Sequence, residues 1–161
     1  LAINVELSKN APKFPEYKNL REKLKNSEKN EDNLTAKDVM DAVVKIRSQK
    51  LPNPEVVANS GSFFKNAIIS KEKASELRKK YENLPLFEFG DKYKIATGWL
   101  IDQAGLKGKE IAGFRIYTEN ALVLTNISAK NYEDLVVARE EIQRVVEQKF
   151  GIKIEQEPLE I

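Results

Sequence analysis

The sequence predicts an α+β fold, in which a small mixed or antiparallel sheet packs against helices. Three observations lead to this prediction. Short apolar or alternating runs that are typical of strands lie between segments whose apolar residues recur at helical spacing. Turn residues separate neighbouring runs closely enough for antiparallel pairing. The order of elements mixes antiparallel pairs with single helices, and the chain shows no internal repeat, which favours packed layers.

Up to residue 50 the pattern predicts one strand followed by two helices. Residues 2–7 alternate apolar and polar side chains, as a half-buried strand does. A helix is predicted where three side chains recur at helical spacing: Tyr17, Leu20 and Leu24. Thr35 and Asp38 resemble a capping box that begins a second helix. The stripe that we expect to be buried on that helix comprises Val39, Met40, Val43 and Ile46.

A proline pair marks the predicted domain boundary. The run Leu51-Pro52-Asn53-Pro54 ends the second helix, because each proline disfavours helix in the residue before it. The chain therefore divides into residues 1–50, residues 51–153 and an exit strand over residues 154–161. It begins at Leu1 without an initiator methionine or the layout of a signal peptide, so we expect a piece of a longer protein.

The second region is predicted to alternate strands and helices. Ser70 caps a helix, and Gly151 ends the longest helix of the chain. The predicted elements are, in order, a strand at 67–69, a helix after Ser70, a loop at 83–92, a strand at 93–96, a helix at 98–105, strands at 111–117 and 121–125 joined at 118–120, a helix at 132–150, and the exit strand.

Composition excludes several kinds of chemistry. The 161 residues include no cysteine and no histidine, so disulfides, thiolate nucleophiles and imidazole bases are excluded. The net charge of +2, with both signs interspersed, argues against a nucleic-acid partner. No apolar run approaches the roughly 18 residues that a membrane span requires. Catalysis would therefore depend on Ser, Tyr, Lys, Asp or Glu, or on a cofactor.

One heptapeptide, Ser60-Gly61-Ser62-Phe63-Phe64-Lys65-Asn66, combines residue types that ordinary core segments keep apart. Gly61 permits a positive φ, and Ser62 directly after it could present its hydroxyl at a tight turn. Lys65 and Asn66 supply the cation and the amide that an anionic ligand needs. A buried phenylalanine strand that is entered through a glycine turn explains the same pattern without a ligand.

Other polar side chains also have two interpretations. Lys50 either interacts with the dipole of a helix C-terminus or binds a phosphate. Lys107 is either a solvated loop lysine or a cation whose direction is set by the neighbouring glycines. Glu155 and Glu157 share one face of the predicted exit strand, which is either the solvated face or an acid site in a cleft. Tyr17 is interpreted as half-buried with its hydroxyl at the rim.

Four motifs occur in order: Lys50-Leu51-Pro52-Asn53-Pro54, then Gly61-Ser62-Phe63-Phe64-Lys65-Asn66, then Gly98-Trp99-Leu100-Ile101-Asp102-Gln103 with Leu106-Lys107-Gly108, and Asn120-Ala121-Leu122-Val123-Leu124. Together they closely resemble the C-terminal half of the UDP-N-acetylenolpyruvoylglucosamine reductase (MurB) family, over nearly all of the chain. The resemblance implies a cytoplasmic enzyme of peptidoglycan synthesis. In that family, FAD held by an N-terminal domain takes hydride from NADPH and reduces UDP-N-acetylglucosamine enolpyruvate to UDP-N-acetylmuramate.

The resemblance also implies roles for individual residues. It maps the family's proton-donating serine onto Ser62 and its active-site glutamate onto Glu157, with Glu155 as a second candidate for the latter. The contacts of the family with the diphosphate and uridine map onto Tyr17, Lys50, Asn66, Lys107 and Asn120.

This chain departs from the family pattern in two places. Ala67 stands where the family usually has proline, and Leu159 stands where an arginine often follows the glutamate, which leaves open what supports Glu157. By resemblance, residues 1–50 are the tail of an FAD-binding domain, 51–153 bind the UDP-sugar, and 154–161 carry Glu157. Since the glycine-rich flavin segments of the family are absent, the isolated chain is expected to be inactive. The alternative is a flavin-free UDP-sugar-binding or regulatory protein.

Overall fold

The computed structural model describes residues 2–6 and 8–159, and within them the chain forms five helices and seven strands. Two compact units are present, Leu1–Lys50 and Leu51–Ile161. The first contains α1 (Lys18–Lys25) and α2 (Ala36–Lys50). The second contains β1 (Asn59–Ser62), β2 (Ala67–Ile69), α3 (Lys71–Lys80), β3 (Leu86–Phe89), β4 (Lys92–Ile95), α4 (Thr97–Gln103), β5 (Glu110–Ile111), β6 (Phe114–Ile116), β7 (Val123–Asn126) and α5 (Tyr132–Phe150). The α+β prediction is confirmed.

The first unit is built on a small apolar core. Leu20 and Leu24 of α1 pack with Leu34 and with Ala42 of α2. The predicted capping box of α2 is present, since the Asp38 amide donates to Thr35 Oγ1 at 3.2 Å and the Thr35 amide donates to Asp38 Oδ2 at 3.0 Å. Hydrogen bonds from Thr35 hold the pKa of the Asp38 carboxyl below its usual value.

The predicted strand at the start of this unit is wrong. Residues 2–6 adopt neither helix nor strand, and Ile3 and Val5 are exposed. Leu7, which the prediction included, lies outside the described residues. Alternation suits a strand only where a neighbouring strand completes the hydrogen bonds, and residues 2–6 pair with no strand among the described residues.

The stripe predicted on α2 is only half correct. Val39 and Ile46 pack against the small core, whereas Met40 is 56% exposed and Val43 is also exposed. Ala42, which the predicted stripe did not include, is the buried residue of α2 in this core. Because α1 has only 8 residues, it covers a narrow part of the α2 surface.

The second unit contains two antiparallel sheets, with strand orders β1-β7-β6-β5 and β2-β4-β3. The heptapeptide crosses from one sheet to the other, since its start lies in β1 and the residue after it begins β2. Phe63 and Phe64 lie between the two strands and are only 2% and 1% exposed, with their rings edge to face at 5.0 Å. Both rings can be buried because the chain leaves the first sheet here, so adjacent side chains need not alternate faces.

Helices α3, α4 and α5 pack with the sheets around one core, which includes Leu77, Leu100, Ile142 and Phe150. The helices predicted after Ser70 and over residues 132–150 are confirmed. None of the helices within the described part of the chain combines the length and the apolar character that crossing a membrane requires.

Three predictions for this unit need correction. The predicted loop at 83–92 contains β3, which forms a hairpin with β4 through Gly90 at φ 60°. The predicted strand at 111–117 is interrupted by a reversal at Ala112 and Gly113, so that β5 pairs with β6. A Cβ at Gly113 would lie 2.5 Å from the Ala129 nitrogen, so only glycine fits this turn. Residues 154–159 form one isolated bridge, between Phe64 and Gln156, rather than a regular strand. Residues 160 and 161 of that prediction lie outside the described residues.

Glu76 on α3 provides a test of acid sensitivity. Hydrogen bonds from Lys80 and Lys73, both at 2.9 Å, lower the pKa of Glu76 from 4.5 to about 2. Because the folded pKa is depressed, the ionised carboxylate stabilises the fold above the unfolded pKa, and this contribution is lost as the pH falls towards 2. We expect Glu76→Gln to lower the urea midpoint at about pH 6 and to have little effect near pH 2. The matched control is Glu82→Gln, at an exposed glutamate just beyond the helix. An equal loss of stability for Glu76→Gln at both pH values would contradict the expectation.

Candidate functional site

Ser62 is exposed at the end of β1, opposite Val123 of β7. Gly61 before it has φ 62°, and its amide donates to Asn59 Oδ1 at 3.0 Å. The pairing register shifts between Asn59 and Ser62. Irregularities of this kind re-aim side chains at the rims of sheets. Ser62 therefore lies at an irregular end of β1, directly after the positive φ of Gly61, and the presentation of its hydroxyl to a ligand stays a prediction.

The exit segment brings Glu157 to the same rim. The Glu157 amide donates to the Phe63 carbonyl at 2.8 Å, and the Lys65 amide donates to the Glu155 carbonyl at 2.9 Å. Residue 157 therefore lies opposite residue 63, one position from Ser62. Glu155 lies opposite Lys65, further along the heptapeptide, so the structure brings Glu157 closer in register to Ser62 than Glu155.

Asn120 lies in the turn that precedes β7. Its Oδ1 accepts a hydrogen bond from the Leu122 amide at 3.1 Å, and the Leu122 carbonyl accepts one from the Phe63 amide at 2.8 Å. Asn120 is thus connected to Phe63, in the middle of the heptapeptide, through one residue. Since its carbonyl oxygen holds the turn, its NH₂ group is the part that suits a phosphate oxygen.

Asn66 is held at the start of α4. Its Oδ1 accepts from the Thr97 amide at 3.1 Å. Thr97 is fully buried, and its hydroxyl donates to the Lys65 carbonyl at 2.7 Å and accepts from the Ala67 amide at 3.1 Å. This threonine fixes the bend between the two sheets and was missed by the sequence analysis. Its position directly before a predicted helix was the available signal.

Lys107 lies in a loop beside the end of β6, where the Gly108 amide donates to the Ile116 carbonyl at 2.8 Å. Its Nζ lies 3.1 Å from Asp102 Oδ2, so its direction is set by an ion pair as well as by the glycine turns. Both side chains are substantially exposed. Such a pair contributes at most about 1 kcal/mol, so a phosphate group can replace Asp102 as the partner of this lysine.

The β2-β4-β3 sheet has an exposed face that was not predicted from the sequence. It is formed by Ile68, Phe87, Phe89 and Lys94 and is here called the aromatic face. Ile68 and Phe87 are the cross-strand neighbours of Lys94 on either side. Phe87 is 59% exposed, and Lys94 Nζ lies 4.2 Å from the centroid of the Phe89 ring. Exposed rings beside a cation suit a ligand with a flat base and negative charge. The alternation of Phe87 and Phe89 was the signal, but the assignment of this segment to a loop concealed it.

The other two predicted residues belong to the first unit. Tyr17 is the N-cap residue of α1 and is 62% exposed, so its interpretation as half-buried is wrong. Lys50 is the last residue of α2 and lines a groove of about 250 Å³ between α1 and α2, together with Asn26 and Ile46. Contact of either residue with a ligand stays a prediction.

A metal ion and a flavin each require a characteristic set of groups in the protein. The described residues contain no cluster of three or more carboxylates that could hold a metal ion. They also contain no glycine-rich loop leading from a strand into a helix, the arrangement that binds the diphosphate of a dinucleotide.

Comparison with known proteins gives one consistent result. A family described as UDP-N-acetylenolpyruvoylglucosamine reductase, C-terminal domain, matches residues 52–161. The chain is 40% identical over 144 residues to a UDP-N-acetylenolpyruvoylglucosamine reductase of Bdellovibrio bacteriovorus. This match covers 89% of this chain and 42% of that protein. The reductase of Aliivibrio fischeri is 44% identical over 123 residues. This match covers 76% of this chain and 35% of that protein. The reductase of Chromobacterium violaceum is 38% identical over 159 residues. This match covers 98% of this chain and 46% of that protein. The chain thus spans less than half the length of these relatives.

Proposed function

The chain belongs to the UDP-N-acetylenolpyruvoylglucosamine reductase family, and on this basis we propose that it forms the substrate-binding half of such a reductase. The reaction would reduce UDP-N-acetylglucosamine enolpyruvate to UDP-N-acetylmuramate for peptidoglycan synthesis in the cytoplasm. One observation supports the proposal most strongly. The hydrogen bond from the Glu157 amide to the Phe63 carbonyl puts Glu157 opposite the residue that directly follows Ser62, although the two segments are far apart in sequence.

Hydride for the reaction would come from FAD that is reduced by NADPH and held outside the described part of this chain. Addition of hydride to the β-carbon of the enolpyruvyl group leaves negative charge on the α-carbon and carboxylate, as an enolate. One proton on the α-carbon then completes the reduction of the double bond. The task of this chain is to orient the double bond and to supply that proton.

Ser62 is the proposed proton donor. A serine hydroxyl is a weak acid, so it can protonate only a strongly basic carbon in a site shielded from water. In this chain Ser62 is exposed, and the shield is expected to come from the flavin-bearing part and the substrate itself. Glu157, one position away in register, would stabilise the enol or assist the proton transfer.

The diphosphate would lie among Asn66, Lys107 and Asn120. The two asparagines have their carbonyl oxygens occupied by the protein, so each would direct its NH₂ group at a phosphate oxygen. Lys107 would exchange Asp102 for the diphosphate. Asn66 directly precedes β2, where the aromatic face begins, so the uracil ring would stack on that face. Tyr17 and Lys50 are further proposed contacts of the same ligand.

Lys107→Met tests the diphosphate assignment. We expect KM for the UDP-sugar substrate to rise at least about tenfold, because one charge-assisted contact is lost. The value of kcat should change less than about threefold, because the lysine does not contact the reacting carbon. Steady-state kinetics would be measured on a polypeptide that joins this chain to a flavin-binding domain. Lys109→Met, two residues away and also exposed, is the matched control. An unchanged KM in Lys107→Met would refute this contact.

A further inference from the structure

Arg139 of α5 contacts the residue that precedes Glu157. Its Nη1 donates to Gln156 Oε1 at 2.6 Å. The Arg139 side chain is only 18% exposed. Because α5 ends at Gly151 in a left-handed turn, the exit segment runs back along the helix and reaches this arginine. The contact joins residues 17 positions apart, so it belongs to the tertiary structure and not to the helix itself.

A second side chain of α5 holds the same segment one turn away. Gln143 Nε2 donates to the Ile154 carbonyl at 2.8 Å. Residues four apart lie on one face of a helix, so Arg139 and Gln143 present their donors side by side. The exit segment is therefore attached to α5 at two points, residues 154 and 156.

Gln156 links Arg139 to the residues on either side of Glu157. Its Nε2 donates to the Pro158 carbonyl at 3.0 Å, and its backbone forms the isolated bridge with Phe64. Glu157 thus lies between two residues that one amide side chain connects. Since a shift of one residue in an extended segment moves each side chain to the opposite face, this register decides where the carboxylate points.

We propose that Arg139 is a positioning residue that fixes the register of the exit segment through Gln156 and so holds Glu157 at the rim beside Ser62. The role of Glu157 in the reaction rests on the proposed function, whereas the attachment of the exit segment does not. Leu159, two residues beyond Glu157, is exposed and carries no charge. The guanidinium that contacts this segment belongs to Arg139 on α5.

The first test measures hydrogen exchange of the Glu157 amide in this chain by NMR, which needs no enzymatic activity. Arg139→Met is expected to accelerate that exchange at least about tenfold, because the segment opens more often when its attachment is lost. Arg144→Met is the matched control, since Arg144 lies on the same helix and pairs with Glu141 at 2.6 Å on its exposed side. It should leave the exchange unchanged. Unchanged exchange in Arg139→Met would overturn the inference.

The second test uses kinetics of the complete reductase. We expect Arg139→Met to lower kcat about tenfold with KM within about threefold, and Arg139→Lys to recover part of the loss by keeping a cationic donor. Gln156→Met removes the acceptor and should have the same effect. The double variant should be no worse than the more affected single variant. If the Arg139→Met variant does not fold, the kcat of the Gln156→Met variant decides whether the contact positions Glu157.

The outcomes separate two failures. Faster exchange together with a lower kcat supports the inference. Faster exchange with an unchanged kcat overturns the positioning role of Arg139. If the wild-type reductase shows no activity on UDP-N-acetylglucosamine enolpyruvate, the proposed function fails, and the exchange measurement still decides whether Arg139 holds the segment.

Discussion

Replacement of Ser62 by alanine is expected to slow reduction of the enolpyruvyl substrate by about 10²–10⁴-fold, the usual contribution of a positioned general acid. The change removes only the hydroxyl. The turn at Gly61 and the two buried phenylalanines that hold the segment stay in place. NADPH would still reduce the flavin at the normal rate, because that step does not use the proton donor. The measurement is rapid mixing of the reduced complete reductase with substrate, followed by flavin absorbance.

Ser60→Ala is the control for this experiment. Ser60 lies on the same strand, and its Oγ donates to the Gly61 carbonyl at 3.0 Å. Its loss therefore shows what a disturbed strand alone does to the rate, and we expect a change below about threefold. Normal reoxidation of the flavin in Ser62→Ala would refute the assignment of the proton donor. A loss of equal size in both variants would show that the strand, and not the hydroxyl, matters.

Phe64→Ala is expected to lower the free energy of unfolding of the second unit by about 3–5 kcal/mol, as large truncations of buried aromatic residues do. Phe64 is 1% exposed and packs edge to face on Phe63. Its backbone also forms the bridge with Gln156, so the lost packing lies directly beneath the exit segment. Unfolding of this chain in urea, followed by circular dichroism, provides the measurement.

Phe89→Ala is the matched control, because Phe89 lies on the exposed aromatic face rather than in the core. We expect a change within about 1 kcal/mol. If Phe64→Ala lowers the free energy of unfolding no more than Phe89→Ala does, the two phenylalanines of the heptapeptide do not anchor the segment. The interpretation of Ser62 as a residue that they hold in place is then wrong.

Local patterns were sufficient for the helices. The apolar spacing of α5, its asparagine cap and its terminal glycine all lie within one stretch of chain, so the predicted bounds of 132–150 are those observed. The cap of α2 was predicted for the same reason. Strands were predicted less well, because a strand exists only when a distant segment pairs with it. Residues 2–6 alternate but pair with no strand in the described part of the chain, whereas residues 86–89 pair with β4.

The candidate site divides in the same way. Ser62, Asn66 and Asn120 were named from motifs. In the structure Asn120 is linked through Leu122 to Phe63, the residue after Ser62, and Asn66 is bonded separately to Thr97. The alternation of Phe87 and Phe89 indicated only part of the aromatic face, because the position of Ile68 and Lys94 beside them arises from the register between three strands. The attachment of Gln156 to Arg139 was equally hidden, since neither residue belongs to a recognisable pattern.

The sequence by itself determined the α+β class, the helices, the domain boundary as a prediction, and the family, because these depend on residues close together in the chain. Only the tertiary structure decided that Glu157 lies opposite Phe63, that Asn66 is tied to Thr97 and that Arg139 holds the exit segment. Each of these contacts joins segments whose mutual register is set by packing of the whole core. No local preference specifies that register, since several alignments of short strands satisfy the same alternation.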